Sequence, residues 1–333
     1  MSLPLQLSEL QRPLAGVSVL LTGAETDLGR VLLVTLLTED WPVSGIHLLY
    51  ARRRRGPPAA KRFRAFCRQS PLAAPLRARF GPRPDVALAG RVTVHEGAPA
   101  KDDLGLGEEV ARRLAETCGA VIIAARSRRP DGDPAIAVAR EVRHPRVVQR
   151  RFPAAALVLV SDVAAVSEAA TRGEAVAERD ATRHFNPEVE TMRLVRGLGG
   201  AVEDRRAAAF TRARTLGFPS IRGYAAGIGE ALFLARRREA DASVRQLVVR
   251  LGLLAPAENG PLAGQALDSG PLDALQALLA LPLPHLPLAP EGRLYLTPID
   301  RAARLVLLGL SRCVAGVAPA VLNAVPGAAA DLS

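Results

Sequence analysis

Short aliphatic runs that recur with helix-length segments between them constrain this chain more than any other feature. The runs 17–21, 46–50, 92–94, 120–124, 157–160 and 247–249 hold apolar residues largely at consecutive rather than alternating positions. That pattern suits strands covered on both faces. Between them, helices are expected over 29–38, 59–68, 107–118, 189–216 (interruptible at Gly197 and Gly199-Gly200) and 227–239, with a short one over 135–142. Strand and helix in regular alternation predict an α/β fold, a doubly wound parallel sheet with crossover helices. The Pro- and Arg-rich stretches 52–58, 75–84 and 126–145 read as surface loops. After Val249 the texture changes: 255–290 is rich in Leu, Pro and Gly without a steady period, and Leu294-Tyr295-Leu296 leads into a helix over 299–309. That part is expected to form a small C-terminal lobe packed on the sheet.

With 49% hydrophobic residues among 333 the chain can bury a sizeable core, and with 4% aromatics that core must be built from Leu, Val and Ala. The formal charge is 44 − 33 = +11, and the only lysines are Lys61 and Lys101. Such an excess suits a polyanionic partner, and it equally suits arginine used in place of lysine on solvated faces. Cys67, Cys118 and Cys313 lie far apart with no CxxC pair, which argues against a disulfide framework and a zinc site. The opening Met1-Ser2-Leu3-Pro4-Leu5 lacks a basic segment before an apolar run, the form of a secretory signal. The most apolar stretch, 272–288, is broken by Asp273, Pro282, Pro284 and Pro287, so it is too interrupted for a membrane span. A cytoplasmic chain is the expectation.

The first run ends in Thr22-Gly23-Ala24-Glu25-Thr26-Asp27-Leu28-Gly29, which opens a helix. A glycine turn in that context presents backbone N–H groups and a helix N-terminus to a pyrophosphate, as in Rossmann-like sites. Thr22, Gly23, Asp27, Leu28 and Gly29 are the candidate cofactor residues: Gly23 permits the tight turn and Gly29 close helix–sheet packing. The middle glycine of the pattern falls at Thr26, and Glu25 with Asp27 puts two carboxylates where phosphates would lie. An ordinary strand–helix turn with a glycine cap accounts for the same residues. Arg52-Arg53-Arg54-Arg55 close the second run, where a dinucleotide fold reads the adenosine ribose. Arginines there suit the 2′-phosphate of NADP, with Arg52 and Arg53 the candidates; a solvated basic loop is the alternative.

Several segments, in order, resemble the extended short-chain dehydrogenase/reductases that reduce fatty acyl thioesters, the fatty acyl-CoA reductases and thioester reductase domains. Val19-Leu20-Leu21-Thr22-Gly23 with Leu28-Gly29-Arg30-Val31-Leu32-Leu33 is similar to their opening strand, turn and helix. Ile46-His47-Leu48-Leu49, Leu104-Gly105-Leu106 and Ala124-Ala125 resemble the second strand, a later turn and the end of the fourth strand. Val158-Leu159-Val160-Ser161 is similar to the fifth strand with its active-site Ser/Thr, Arg214-Thr215-Leu216-Gly217-Phe218-Pro219 to the approach to the catalytic helix, and Tyr295-Leu296-Thr297-Pro298-Ile299-Asp300 to a late strand and helix. The resemblance covers roughly residues 15–330 and rests on order and spacing. It implies a Rossmann-like domain over 14–333 after an N-terminal extension, 1–13. Within it, 14–165 would be the nucleotide-binding core and 166–333 the catalytic-helix and substrate-side part. It implies NADP as cofactor, with Ala124 and Ala125 added to its binding residues. No separate C-terminal domain of the kind many relatives carry is expected.

The departures fall on the chemistry. The family uses a Tyr as proton donor and a Lys four residues later that lowers the Tyr pKa and holds the nicotinamide ribose. Aligned without a gap between Pro219 and Glu230, these positions carry Arg222 and Ala226. A guanidinium, with a pKa above about 12, cannot serve as the acid. Tyr224 is the fallback, but Ile228 stands four residues on, and two residues of helix amount to roughly 200° of rotation. No lysine follows Lys101. The family Asn between the fourth and fifth strands is missing, since Asn186 is the first in the chain, and Glu96-Gly97-Ala98 replaces a Gly-Asp pair on the adenine side. Ser161 keeps the Ser/Thr position, or Asp162 takes it if the register slips by one.

The first reading is therefore a non-catalytic NAD(P)-binding relative that keeps the fold for cofactor sensing, for pairing with an intact reductase paralogue or a second copy, or for a scaffold role. The second is a working NADPH-dependent reductase of fatty acyl thioesters that forgoes the ~10²–10⁴-fold typical of general acid catalysis. The third is a basic module for nucleic acid or an acidic partner, supported by charge alone. The stretch 272–288 suits an acyl-chain lid as well as it suits plain core or a dimer contact.

Overall fold

The computed structural model describes residues 7–124, 134–162, 165, 186–196, 202–218, 220–239, 244–258, 262–263, 293–294, 296–324 and 330–331. Its strands are β1 (Ser18–Thr22), β2 (Gly45–Ala51), β3 (Val92–Gly97), β4 (Cys118–Ile123), β5 (Ala156–Asp162), β6 (Gln246–Leu251), β7 (Leu253–Ala255), β8 (Arg293–Leu294), β9 (Leu296–Pro298), β10 (Val321–Ala324) and β11 (Ala330–Asp331). Seven form one sheet in the order β10-β6-β5-β4-β1-β2-β3, parallel throughout. Two short pairings stand apart, β7 with β9 and β8 with β11. The fold is Rossmann-like, as the alternation of runs predicts. The sequence reading missed the edge strand β10, whose four residues are too short to announce a period.

Consecutive apolar positions have their cause in the two layers. Val19, Leu21, Ile46, Leu48, Ile122, Val158, Val160, Leu247 and Val249 face one core, with Leu28, Leu32, Leu36, Phe63, Val306 and Leu310. Leu20, Leu49, Val121, Ile123, Leu157, Leu159 and Val248 face the other, with Leu114, Val148 and Phe233. The strands β1, β2, β4, β5 and β6 thus bury both sides, while β3 at the edge is partly open.

The helices are α1 (Leu7–Gln11), α2 (Asp27–Thr38), α3 (Ala59–Gln69), α4 (Ala74–Phe80), α5 (Pro84–Ala87), α6 (Glu108–Thr117), α7 (Pro134–Ala137), α8 (His144–Arg151), α9 (Pro187–Arg196), α10 (Val202–Thr215), α11 (Ile221–Glu239) and α12 (Ile299–Val314). Three corrections concern proline and glycine. The stretch 75–84 is largely helical, because Pro75 and Pro84 sit in the first turns of α4 and α5, where a missing N–H costs nothing. Pro145 likewise opens α8, inside a stretch expected to be loop. α11 begins six residues before its expected start: Ser220 Oγ accepts from Gly223 N at 3.0 Å, the geometry of an N-cap, and Gly223 and Gly227 mask the pattern in sequence. Gly197 and Gly199-Gly200, and the apolar stretch 272–288, lie outside the described residues.

Between α7 and α8 the chain makes one π turn, Val138–Arg143. α11 crosses it at Gly229, where an added Cβ would fall on the carbonyl oxygen of Glu141. Gly229→Ala is therefore expected to lower stability by about 1–3 kcal/mol through overpacking. Gly90→Ala, with nothing within 4 Å, should stay within about 0.5 kcal/mol. Equal urea midpoints for the two variants would show that the crossing relaxes freely.

His144, the first residue of α8, is 2% exposed, and its Nε2 has no hydrogen-bond partner among the described residues. Burial, with Arg140 adding to it, pushes its pKa from 6.5 down to about 4. The folded state holds the ring neutral while the unfolded chain protonates it on falling through pH 6.5. Stability from this group is complete above about pH 6.5 and is lost as pH falls toward about 4, at most about 3 kcal/mol. His144→Leu is expected to flatten the loss of urea stability between pH 7 and 4.5; an unchanged slope would reject the assignment.

Candidate functional site

The chain lays down β1, β2 and β3 outward and then returns to place β4 on the other side of β1. At such a reversal the carboxyl ends of the strands leave a crevice. Here the crevice is bounded by the turn from Thr22 to Gly29. Thr22 is buried at the end of β1, where its Oγ1 donates to the Ile122 carbonyl at 3.4 Å and its own carbonyl accepts from Ala124 N at 3.2 Å. Gly23 takes φ +74°, a conformation that disfavours side chains. Gly29 packs so tightly that a Cβ there would fall on the Gly23 carbonyl oxygen. Leu28 is buried beneath the turn, and Asp27 lies buried at the start of α2 with Arg30 3.6 Å away. Ala125 lies outside the described residues.

Thr26, at the position of the middle glycine, turns its side chain inward. Its Oγ1 donates to the Gly23 carbonyl at 2.8 Å and accepts from Gly29 N at 3.0 Å, capping α2. Glu25 turns the other way, toward the end of β2. Its Oε1 pairs with Arg53 at 2.8 Å and with Arg62, and its Oε2 accepts from Ala51 N at 3.1 Å. Arg52 instead donates to the Gly105 carbonyl at 3.1 Å. Arg62, from α3, carries no signal in sequence because it is one of three arginines beside Lys61 on an amphipathic helix, and nothing local tells it from Arg64 and Arg68. It is 8% exposed, reaches Glu96 at 3.3 Å and the Ala51 carbonyl at 2.8 Å, and lies 5.3 Å from the Tyr50 ring. A hydrogen bond from Ala59 N, with Arg62 and Arg52 nearby, holds the Glu96 carboxyl below its ordinary range. These residues wall a cleft of about 350 Å³ lined by Glu25, Arg30, Tyr50, Arg53, Arg62 and Phe66.

The other half of the crevice lies at the ends of β5 and β6 under α11. Ser161 is buried and stands in register with Arg250 on β6. Arg250 and Glu230 of α11 form an ion pair, each 1% exposed, with Arg250 Nε at 2.9 Å and Nη2 at 2.6 Å from Glu230 Oε2. Two turns earlier on α11, Arg222 is half-buried with its Nε 4.0 Å from Oε1 of Glu141 in the π turn. Ala226 is buried. Tyr224 points elsewhere: its hydroxyl donates to Glu190 Oε2 on α9 at 2.5 Å, and Arg212 of α10 grips the same carboxylate at 2.6 and 2.9 Å. Burial and Glu190 push the Tyr224 phenol above its ordinary range. Burial also raises the thiols of Cys67 and Cys118 to about 12 and of Cys313 to about 11, so none is poised as a nucleophile. Among the described residues no group of three or more His, Cys, Asp and Glu side chains could hold a metal ion, and no helix is long and apolar enough to cross a membrane.

Residues 21–306 match the sequence profile of the male sterility protein family, an NAD-binding family. The chain belongs to that family. Its fold is similar to the terminal R domain of the myxalamid PKS-NRPS pathway, at 17% identity and a TM-score of 0.66, over 95% of this chain and 67% of that one. It is also similar to the reductase domain of a nonribosomal peptide synthetase from Mycobacterium tuberculosis, at 20% identity and a TM-score of 0.58, over 97% and 72%. The Bordetella bronchiseptica enzyme WbmF, solved with NAD+, matches at 13% identity and a TM-score of 0.52, over 96% and 76%. Comparison with curated protein sequences gives no match. Membership of this family makes the chain an NAD-binding α/β protein.

Proposed function

We propose that this family member binds NADP(H) but has lost the proton relay for reducing an acyl thioester, and acts as a cofactor-holding or partner subunit. The observation that carries the reading lies on α11. Arg222 occupies the position that the resemblance gives to the phenol and neighbours Glu141 at 4.0 Å, and Ala226 is buried where the ammonium would stand. A guanidinium keeps its proton up to a pH above about 12, and alanine has none to give. Tyr224 supplies no substitute while its hydroxyl is bonded to Glu190.

The backbone of the turn at Thr22, Gly23, Asp27, Leu28 and Gly29 would line the diphosphate, with Ala124 across the crevice and Arg52 and Arg53 on the ribose side; Ala125 lies outside the described residues. The close approach of Gly29 to Gly23 and the inward Thr26 side chain leave the turn's outer surface to the group. When bound, the nicotinamide supplies a hydride. Ser161 remains able to orient a carbonyl near the nicotinamide end. A second reading, an active NADPH-dependent reductase of fatty acyl thioesters, is favoured by Ser161 standing beside the buried Arg250.

Titration with NADPH, followed by nucleotide fluorescence and then by addition of a long-chain acyl-CoA, separates the two. Saturable binding without NADPH oxidation is the expected result. Oxidation on adding acyl-CoA would establish the second reading and end the first.

A further inference from the structure

We infer that Glu25 is a built-in competitor of the ribose 2′-phosphate and sets this chain's discrimination between phosphorylated and unphosphorylated nucleotides. The inference rests on the nucleotide-binding reading above and adds a residue that opposes it. A glycine turn in this fold ordinarily offers N–H groups to an anion; here the turn carries two anionic side chains of its own, Asp27, buried near Arg30, and Glu25. Glu25 carries its charge away from the turn to the end of β2, where Oε1 reaches both Arg53 and Arg62 and Oε2 takes the Ala51 N–H. Two of the three arginines that line the cleft, Arg53 and Arg62, are thus paired with the same carboxylate, Arg62 is further held by Glu96, and the third, Arg30, lies 3.6 Å from Asp27.

A phosphate seeks the same guanidinium N–H groups in the same planar geometry. To reach Arg53 and Arg62 it must displace Glu25, and the displaced carboxylate stays tethered to the turn as a like charge beside the ligand. A nucleotide lacking the 2′-phosphate makes no such demand, because its ribose hydroxyls can donate to a carboxylate. The four arginines after β2 suggest an open basic site in sequence. In the fold one of the four, Arg53, is already paired with a carboxylate that lies 28 residues before it, and the same carboxylate holds Arg62 of α3, 37 residues on.

The test is the affinity of 2′,5′-ADP, 5′-AMP and NADH for the intact chain and for Glu25→Gln, measured by calorimetry, with thermal melting to confirm folding. Removing one competing charge-assisted contact is expected to raise 2′,5′-ADP affinity about 10-fold or more. Affinity for 5′-AMP and NADH should fall or stay level and never rise, because an amide oxygen accepts a ribose hydroxyl less well than a carboxylate does, and adding Arg53→Gln to Glu25→Gln should reverse the gain for 2′,5′-ADP. If 5′-AMP and NADH bind both proteins but 2′,5′-ADP affinity is unchanged by Glu25→Gln, the inference is overturned while the nucleotide-binding reading stands. If neither protein binds any of the three, the nucleotide-binding reading fails and takes the inference with it. Should Glu25→Gln melt early, Glu25→Asp, with its shorter reach to the arginines, is expected to give a smaller gain of the same sign.

Discussion

Glu230→Ala is expected to destabilise the protein by about 3–5 kcal/mol, because it leaves the Arg250 guanidinium buried without its counter-charge. Arg250 has 1% exposure near the carboxyl end of β6, between β10 and β5 and beneath α11, and is shielded from solvent. Total stabilities of about 5–15 kcal/mol make this a loss that can prevent folding at 37 °C. The ion pair itself need not be strongly stabilising. Glu230 Oε1 and Arg250 Nη1 lack hydrogen-bond partners among the described residues, so part of the desolvation cost is not offset. Replacing both residues, Glu230→Leu with Arg250→Met, is accordingly expected to be neutral or to stabilise by about 1–4 kcal/mol. Urea unfolding of the two single variants and the double variant completes the cycle. A single-variant cost below about 1 kcal/mol would mean that the helix–sheet seam admits water to Arg250.

The second large effect is a gain. Arg222→Tyr with Ala226→Lys is expected to raise NADPH-dependent reduction of a long-chain acyl-CoA by about 10²-fold or more over the parent, the range that a positioned general acid supplies. Either change alone should do far less: an isolated phenol, with an ordinary pKa of about 10, needs the nearby cation to ease its deprotonation. Glu141 works against the new phenol. Its carboxylate lies beside position 222, and a negative charge there raises a phenol's pKa. Adding Glu141→Gln is therefore expected to increase the rate further. Turnover and NADPH affinity must be measured together, since a double variant that binds NADPH yet remains inactive would place the defect outside the dyad. Burial and Glu190 already hold the Tyr224 phenol above its ordinary range even with Arg212 acting against them, which shows how strongly a buried carboxylate can oppose a phenol in this fold.

The site was partly legible before the fold was known. Thr22, Gly23 and Gly29 stand out because a strand followed by a glycine turn and a helix has few local solutions, and Gly23 and Gly29 meet the two demands of such a turn. Arg52 and Arg53 were visible as charge, yet not their fate: one binds carbonyls of the β3 side, the other a carboxylate of the turn. Arg62, Glu190, Arg212 and Arg250 had no motif to mark them. Each became part of a cluster only through residues from other elements, Glu190 meeting Arg212 from 22 positions away and Tyr224 from 34.

Chain order alone settled the doubly wound sheet, because a strand buried on both faces must be apolar at successive positions and a parallel neighbour requires a crossover helix. It also settled that the second half holds no lysine for a dyad. Tertiary structure decided where the charges go. Glu25 meets Arg62, Glu141 meets Arg222, and Glu230 meets Arg250. Electrostatic pairing acts over a few ångströms in space, whatever the separation along the chain, and only packing sets which charges come that close.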